Sequence, residues 1–184
     1  MIGLSLIMLF LNTPEPFVVD ASTEATYSVQ IARPALKLFV DDIGLFARHM
    51  PGVLEVKPVG ENRYLYRTEK DVALRSAMKV DFLIGKQVYG DTLTVYRSLS
   101  PSDENYMSCS VFLRPDGENS TTIRIKLRIR MSRTNPMEVH WMAPIVGAGF
   151  ISDRMKEDLD EMLASFIATS NKEIYSRYQL SATK

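Results

Sequence analysis

From Phe150 to Tyr178 the chain contains neither proline nor glycine, and its apolar side chains fall at helical spacing. Ile151, Met155, Leu159, Met162 and Phe166 are separated by four, four, three and four residues, and Leu163, Ile167 and Ile174 widen the stripe. This is the periodicity of a helix that buries one face. Asp153, Lys156, Glu157, Asp160 and Glu161 occupy the opposite face. The stretch 136–178 therefore reads as one long C-terminal helix, entered through Trp141, Pro144 and Gly147-Ala148-Gly149. Such a helix needs a broad apolar surface to lie on, and the preceding chain must supply it.

That surface is read as strands. Residues 122–131 show the clearest alternation: Ile123, Ile125, Leu127, Ile129 and Met131 against Arg124, Lys126, Arg128 and Arg130. One face is buried and one is wet, as in an antiparallel sheet. Residues 106–113, 92–99, 78–88, 63–70 and 53–59 read as further strands. They are separated by turn residues such as Pro115-Asp116-Gly117, Ser100-Pro101-Ser102, Gly90-Asp91 and Gly60-Glu61-Asn62. In 92–99, Arg97 shares parity with Leu93, Val95 and Leu99, which predicts a guanidinium facing inward.

Upstream, residues 27–31 alternate as a first strand. Pro34 then suits the first turn of a helix carrying Leu36, Phe39 and Val40. Asp41 or Asp42 can cap a second short helix with Ile43, Phe46 and Ala47, which stops at Pro51-Gly52. Residues 1–11 are apolar except for Ser5, too few to span a bilayer, which takes about 20 residues. No basic residue precedes Arg33, so a signal peptide is incomplete, although Val19-Asp20-Ala21 could pass for a cleavage site. Residues 1–25 are therefore set aside as an appendage, 26–178 as the domain and 179–184 as a tail. The expected location is cytoplasmic, or secreted or membrane-associated if residues 1–21 act as a signal.

The order is a strand, two short helices, a run of antiparallel strands and a long helix. A twisted meander of six or seven strands curls, and the helix can fill its concave side. The fold class is α+β, with a cavity between sheet and helix closed at one end by the short helices. This order, the run of residues 35–53 and the sequence Pro51-Gly52-Val53 followed by Gly60-Glu61-Asn62-Arg63-Tyr64 together resemble the START-like superfamily. That superfamily is also called SRPBCC, and its fold the helix-grip or birch-pollen-allergen fold. The detail is similar to polyketide cyclase-like members and to carbon monoxide dehydrogenase accessory proteins. The resemblance implies binding of a bulky hydrophobic molecule such as a lipid, polyketide, quinone or pigment. It carries over no catalytic set.

Eight Tyr, eight Phe and ten Met supply a large, adaptable interior. The expected walls of the cavity are Phe39, Phe46, Tyr66, Phe82, Val95, Cys109, Met155, Leu159 and Met162, with Trp141 near the mouth. Arg97 would await an anionic ligand group, an internal acid, or solvent at a bulge. The formal net charge is zero, so nothing global argues for nucleic acid. Cys109 is the single cysteine and reads as a buried strand residue. His49 and His140 are the only histidines, and neither has a recognisable partner, so no metal or cofactor is expected. Arg124, Lys126, Arg128 and Arg130 read as a solvated face paired with acids on neighbouring strands, or as a partner-binding surface. Gly147 and Gly149 read as allowing close packing at the helix entrance, or as an anion-holding turn.

Three functions follow: a carrier of a hydrophobic small molecule, a cyclase- or dehydratase-type enzyme acting on one, or an interaction module using the groove or cationic face. The apolar residues 1–11 add weak membrane association. Catalysis is left open, with the carrier reading first.

Overall fold

The computed structural model describes residues 15–70 and 78–178, the side chains of Lys70 and Met78 excepted. Residues 1–11, with their signal-like features, and the tail 179–184 lie outside that range. Seven antiparallel strands form one sheet: β1 (Phe17–Val29), β2 (Val53–Gly60), β3 (Arg63–Lys70), β4 (Met78–Tyr89), β5 (Leu93–Ser98), β6 (Asn105–Pro115) and β7 (Thr121–Arg133). Their order is β1-β7-β6-β5-β4-β3-β2. The first two strands in sequence are thus the two edges. Helices α1 (Arg33–Asp41) and α2 (Ile43–Ala47) connect them, and a 3₁₀ turn (Pro136–Glu138) leads into α3 (Ala143–Tyr178). This is the α+β helix-grip arrangement that the sequence pattern predicts.

The domain boundary needs correction. β1 begins at Phe17, about ten residues earlier than expected. Phe17 to Ala25 pair in register with Arg133 to Ile125 of β7. Val19, Ala21 and Thr23 face inward and are buried. Their small size hid the alternation. The Val19-Asp20-Ala21 triplet lies inside the sheet, paired with Met131, Arg130 and Ile129.

β5 also faces the other way from its expected parity. Thr94, Tyr96 and Ser98 are buried, Leu93 and Val95 are half-buried on the outer side, and Arg97 is exposed. The reason is local polar demand. The last carbonyls of a helix have no partner within it, and β5 meets that end of α1. The Tyr96 hydroxyl donates to the Val40 carbonyl at 2.5 Å, and Thr94 Oγ1 donates to Asp41 Oδ1 at 2.6 Å. Ser98 Oγ accepts from the Met107 N–H at 2.9 Å. Each inward hydroxyl is satisfied, so burial costs little.

The short helices are placed as the sequence suggests. Pro34 sits in the first turn of α1, and Asp42 caps α2 by accepting from the Leu45 N–H at 2.9 Å. The turn after α2 requires Gly52: φ is +78°, and a Cβ there would lie 2.7 Å from the Glu69 carbonyl oxygen. In α3 the apolar stripe buries Leu159, Leu163, Phe166 and Ile174. Gly147 interrupts the helix with φ 79° and ψ 168°. Nothing lies within 4 Å of a Cβ built on Gly147 or Gly149, so close packing is not their role. Gly147 is needed for its positive φ, which kinks the helix entrance.

The helix runs beside β1. The Asp20 N–H donates to Ser152 Oγ at 3.2 Å, Thr23 Oγ1 to Asp160, and the Gln30 N–H to the Tyr175 hydroxyl at 3.1 Å. The opposite edge, β2, shifts register twice against β3, between Val53 and Glu55 and between Pro58 and Gly60. The cationic row of β7 lies on the outer face. Arg128 makes two hydrogen bonds to Asp20, at 2.9 and 2.5 Å, and Arg124 lies 3.6 Å from Glu24. Arg130 donates to the Pro101 carbonyl. These side chains mainly serve neighbouring strands and loops.

Candidate functional site

Between sheet and α3 lies a cavity of about 620 Å³, within the usual range for small-molecule sites. Its floor is the inward face of four central strands. β4 gives Val80, Phe82 and Ile84, β5 gives Tyr96, β6 gives Met107 and Cys109, and β7 gives Leu127, Ile129 and Met131. Alternation explains this set, since every second residue of a strand reaches the same side. α3 roofs the cavity with Met155, Leu159 and Met162, and α2 with the following turn closes one end with Phe46 and Met50. Four methionines from strand and helix make the walls adaptable in shape.

The lining also includes polar side chains. Thr68 and Glu69 come from the end of β3, and Asp158, Glu161 and Ser165 from α3. Glu161, Ser165, Pro51 and Gly52 are solvent-exposed, which marks this rim as the mouth. Thr68 is occupied, donating to the Val80 carbonyl at 3.3 Å.

Deeper inside, three groups carry protons. Tyr96 is tied to Val40, as described. Burial pushes the Cys109 thiol up to about 12, so it stays neutral. Tyr66 is 8% exposed, and its hydroxyl makes no hydrogen bond to a described residue. Burial, with Cys109 nearby, raises its pKa well above the usual tyrosine range. Tyr66 is therefore a neutral hydrogen-bonding group facing an otherwise apolar space.

The expected wall residues Phe46, Tyr66, Phe82, Cys109, Met155, Leu159 and Met162 come together around this cavity. Four others do not. Phe39 is buried but packs within the helical layer, its ring centroid 6.1 Å from Phe46 and 5.9 Å from His49. Val95 and Arg97 lie on the outer face, for the reason given for β5. Trp141 is exposed, stacked on His140 away from the cavity. Met50, Met107 and Met131 were missed. Their strand or turn parity could have pointed to them.

Neither histidine lines the cavity. His140 Nδ1 accepts from the Met142 N–H at 3.1 Å. His49 Nε2 lies 3.3 Å from Glu173 Oε2, between the rings of Phe39 and Phe166. Among the described residues there is no cluster of metal-ligating side chains, and no helix is long and apolar enough to cross a membrane.

No family model matches the chain, and no curated protein matches its sequence. Solved structures do match its fold. A START superfamily protein from Mycobacterium smegmatis superposes with a TM-score of 0.58 at 12% identity, covering 83% of this chain and 98% of its own. A conserved protein from Geobacillus kaustophilus gives 0.59 at 12% identity, over 85% and 97%. The Zhui aromatase/cyclase from Streptomyces sp. R1128 gives 0.54 at 14% identity, over 85% and 92%. The chain therefore has the helix-grip fold of these structures, a START superfamily protein and an aromatase/cyclase among them. At such identities the likeness is one of fold.

Proposed function

We propose that this protein binds a bulky, uncharged hydrophobic small molecule in the cavity, with the Tyr66 hydroxyl as its polar anchor. One observation carries this reading: an apolar cavity of about 620 Å³ has on its wall the Tyr66 hydroxyl, which bonds to no described residue. A buried polar group without a partner costs free energy, and a ligand carbonyl or hydroxyl would supply one. The deep walls offer no charged side chain, so a charged ligand group there would meet an uncompensated desolvation cost. A long apolar molecule with a neutral oxygen fits best. An anionic ligand held by Arg97 is withdrawn, since Arg97 faces solvent.

The carrier reading stands ahead of the enzyme reading. Proton transfer works best from groups that titrate near the working pH, whereas Cys109, Tyr66 and Tyr96 all hold their protons at neutral pH. The interaction-module reading expects a filled core, and the cavity speaks against it.

Titration with prodan, a neutral naphthyl ketone dye, tests the proposal beside native mass spectrometry of the purified protein. Tyr66→Phe should weaken dye binding about two- to tenfold, the worth of one neutral hydrogen bond. Met162→Trp, which fills the mouth, should abolish it while the thermal melt stays cooperative. If the wild type takes up no dye and carries no small molecule, or if both variants bind as well as wild type, the cavity is not the site.

A further inference from the structure

Strands β5, β6 and β7 contain seven Lys and Arg residues and neither Asp nor Glu. The formal net charge of the chain is zero, so the compensating acids lie elsewhere. All the cations but Arg133 alternate with buried residues and reach the outer face, the side turned away from the cavity. Most are satisfied from within. Arg128 bonds to Asp20, Arg124 pairs with Glu24, Arg114 with Asp116, and Arg130 donates to the Pro101 carbonyl. Arg97 and Lys126 are exposed and make no hydrogen bond or ion pair with a described residue.

Sheet register explains why these two are left over. Opposite charges at facing positions stabilise a sheet. Arg67, on the same face, stands opposite Glu55 and Asp81 and bonds to both. Arg97 stands opposite Gly85 and Ser108, which offer no charge. Lys126 stands opposite Ser110 and Glu24, and Glu24 is engaged by Arg124 at 3.6 Å. The Ser108 and Ser110 hydroxyls also bond to no described residue. They are two apart on β6 and share its outer face. β5 and β7 lie on either side of β6, roughly 10 Å apart. The long side chains of Arg97 and Lys126 therefore border a floor of two short hydroxyls. Cations flanking hydroxyl donors form a set that recognises an oxyanion.

We propose that this outer face docks an acidic segment of a partner protein, whose carboxylates are received by Arg97 and Lys126 over Ser108 and Ser110. Charge complementarity of this kind steers and selects a partner. Leu83 and Leu99, each 45% exposed, lie next to Arg97, with Leu99 covering Gly85. The segment therefore carries apolar side chains beside its acids. Single-stranded nucleic acid is the poorer fit, because it needs open aromatic faces on which bases stack. The two rings on the outer face of β6 already hold guanidinium groups, Arg124 over Phe112 at 4.8 Å and Arg130 over Tyr106 at 6.0 Å. The cavity lies on the inner side of these strands, so the proposal is independent of what it holds.

Fluorescence anisotropy of a fluorescein-labelled octaglutamate peptide, titrated with the full chain at low salt, tests this. The peptide should bind, and binding should fade as salt rises. Arg97→Ser combined with Lys126→Ser should weaken it at least about threefold. Arg67→Ser combined with Arg114→Ser removes the same charge from cations that already have acidic partners. That variant should change binding by less than about twofold. Thermal melts check that both variants remain folded.

Absence of peptide binding at low salt would overturn the proposal. So would equal losses in the two double variants, which would reduce the effect to net charge. Tighter binding of a labelled oligothymidylate of the same charge would assign the face to nucleic acid and equally overturn it. Binding of phosphatidylglycerol vesicles in preference to the peptide would do the same in favour of a membrane surface.

Discussion

Replacing Tyr96 by Phe removes one oxygen and leaves the ring in place. Tyr96 is 2% exposed, and its hydroxyl is 2.5 Å from the carbonyl of Val40, itself buried near the end of α1. That carbonyl belongs to the last turn of a helix, so it has no replacement donor within the helix. Leaving a buried acceptor unsatisfied costs about 1–3 kcal/mol. For a chain of this length each kcal/mol moves Tm by about 2–4 °C, giving a loss of roughly 2–12 °C. Arg97→Leu, one residue along on the exposed face, should stay within about 0.5 kcal/mol of wild type. Urea melts of the three proteins make the comparison. If Tyr96→Phe is silent while Arg97→Leu costs more than about 1 kcal/mol, then β5 faces the other way and the account of its hydroxyls is wrong.

Two further outcomes are expected. Removing residues 1–25 takes away the β1 half that pairs Phe17 to Ala25 with β7, and cooperative unfolding should be lost in calorimetry, whereas removing residues 1–14 should preserve it. Cys109, pushed from 9.0 up to about 12, should have about a thousandfold less thiolate at pH 8 than an exposed cysteine and react correspondingly slowly with Ellman's reagent. In the unfolded chain the thiol ionises first. The stability it contributes is therefore intact below pH 9.0 and is lost as pH rises from there toward 12, which alkaline melts of wild type against Cys109→Ala would show.

The strands that could be read from sequence are those whose two faces differ strongly. β7 alternates branched apolar residues with cations, and its parity came through intact. β1 did not, because Ala21 and Thr23 are weak core signals and Asp20 and Glu24 look like loop residues. Their meaning lies in Arg128 and Arg124, a hundred residues or more away. β5 misled for the converse reason: its inward residues are polar because a helix end sits above them, a tertiary demand that no local pattern contains. The same limit applies to the cavity. Strand parity, the α3 stripe and the short second helix pointed to Tyr66, Phe82 and Cys109, to Met155, Leu159 and Met162, and to Phe46. Phe39 and Trp141 have the right chemistry on the wrong side of a helix or turn, and only packing decides that.

The two edges of the sheet differ in what they deny to another chain. An open strand edge invites a further strand, and repeated addition is the route to fibres. In β1 the backbone donor of Asp20, and just past its end that of Gln30, are already taken by Ser152 and Tyr175, so a newcomer would first have to peel α3 away. At β2 the two register shifts break the flat ladder that a partner needs, and Pro58 has no N–H to offer. Polymerisation through the backbone is thus blocked at one end by a helix and at the other by irregularity. A lesion that frees α3 from β1 would expose that edge to strand addition and, because Met155, Leu159 and Met162 of α3 roof the cavity, would open the cavity as well.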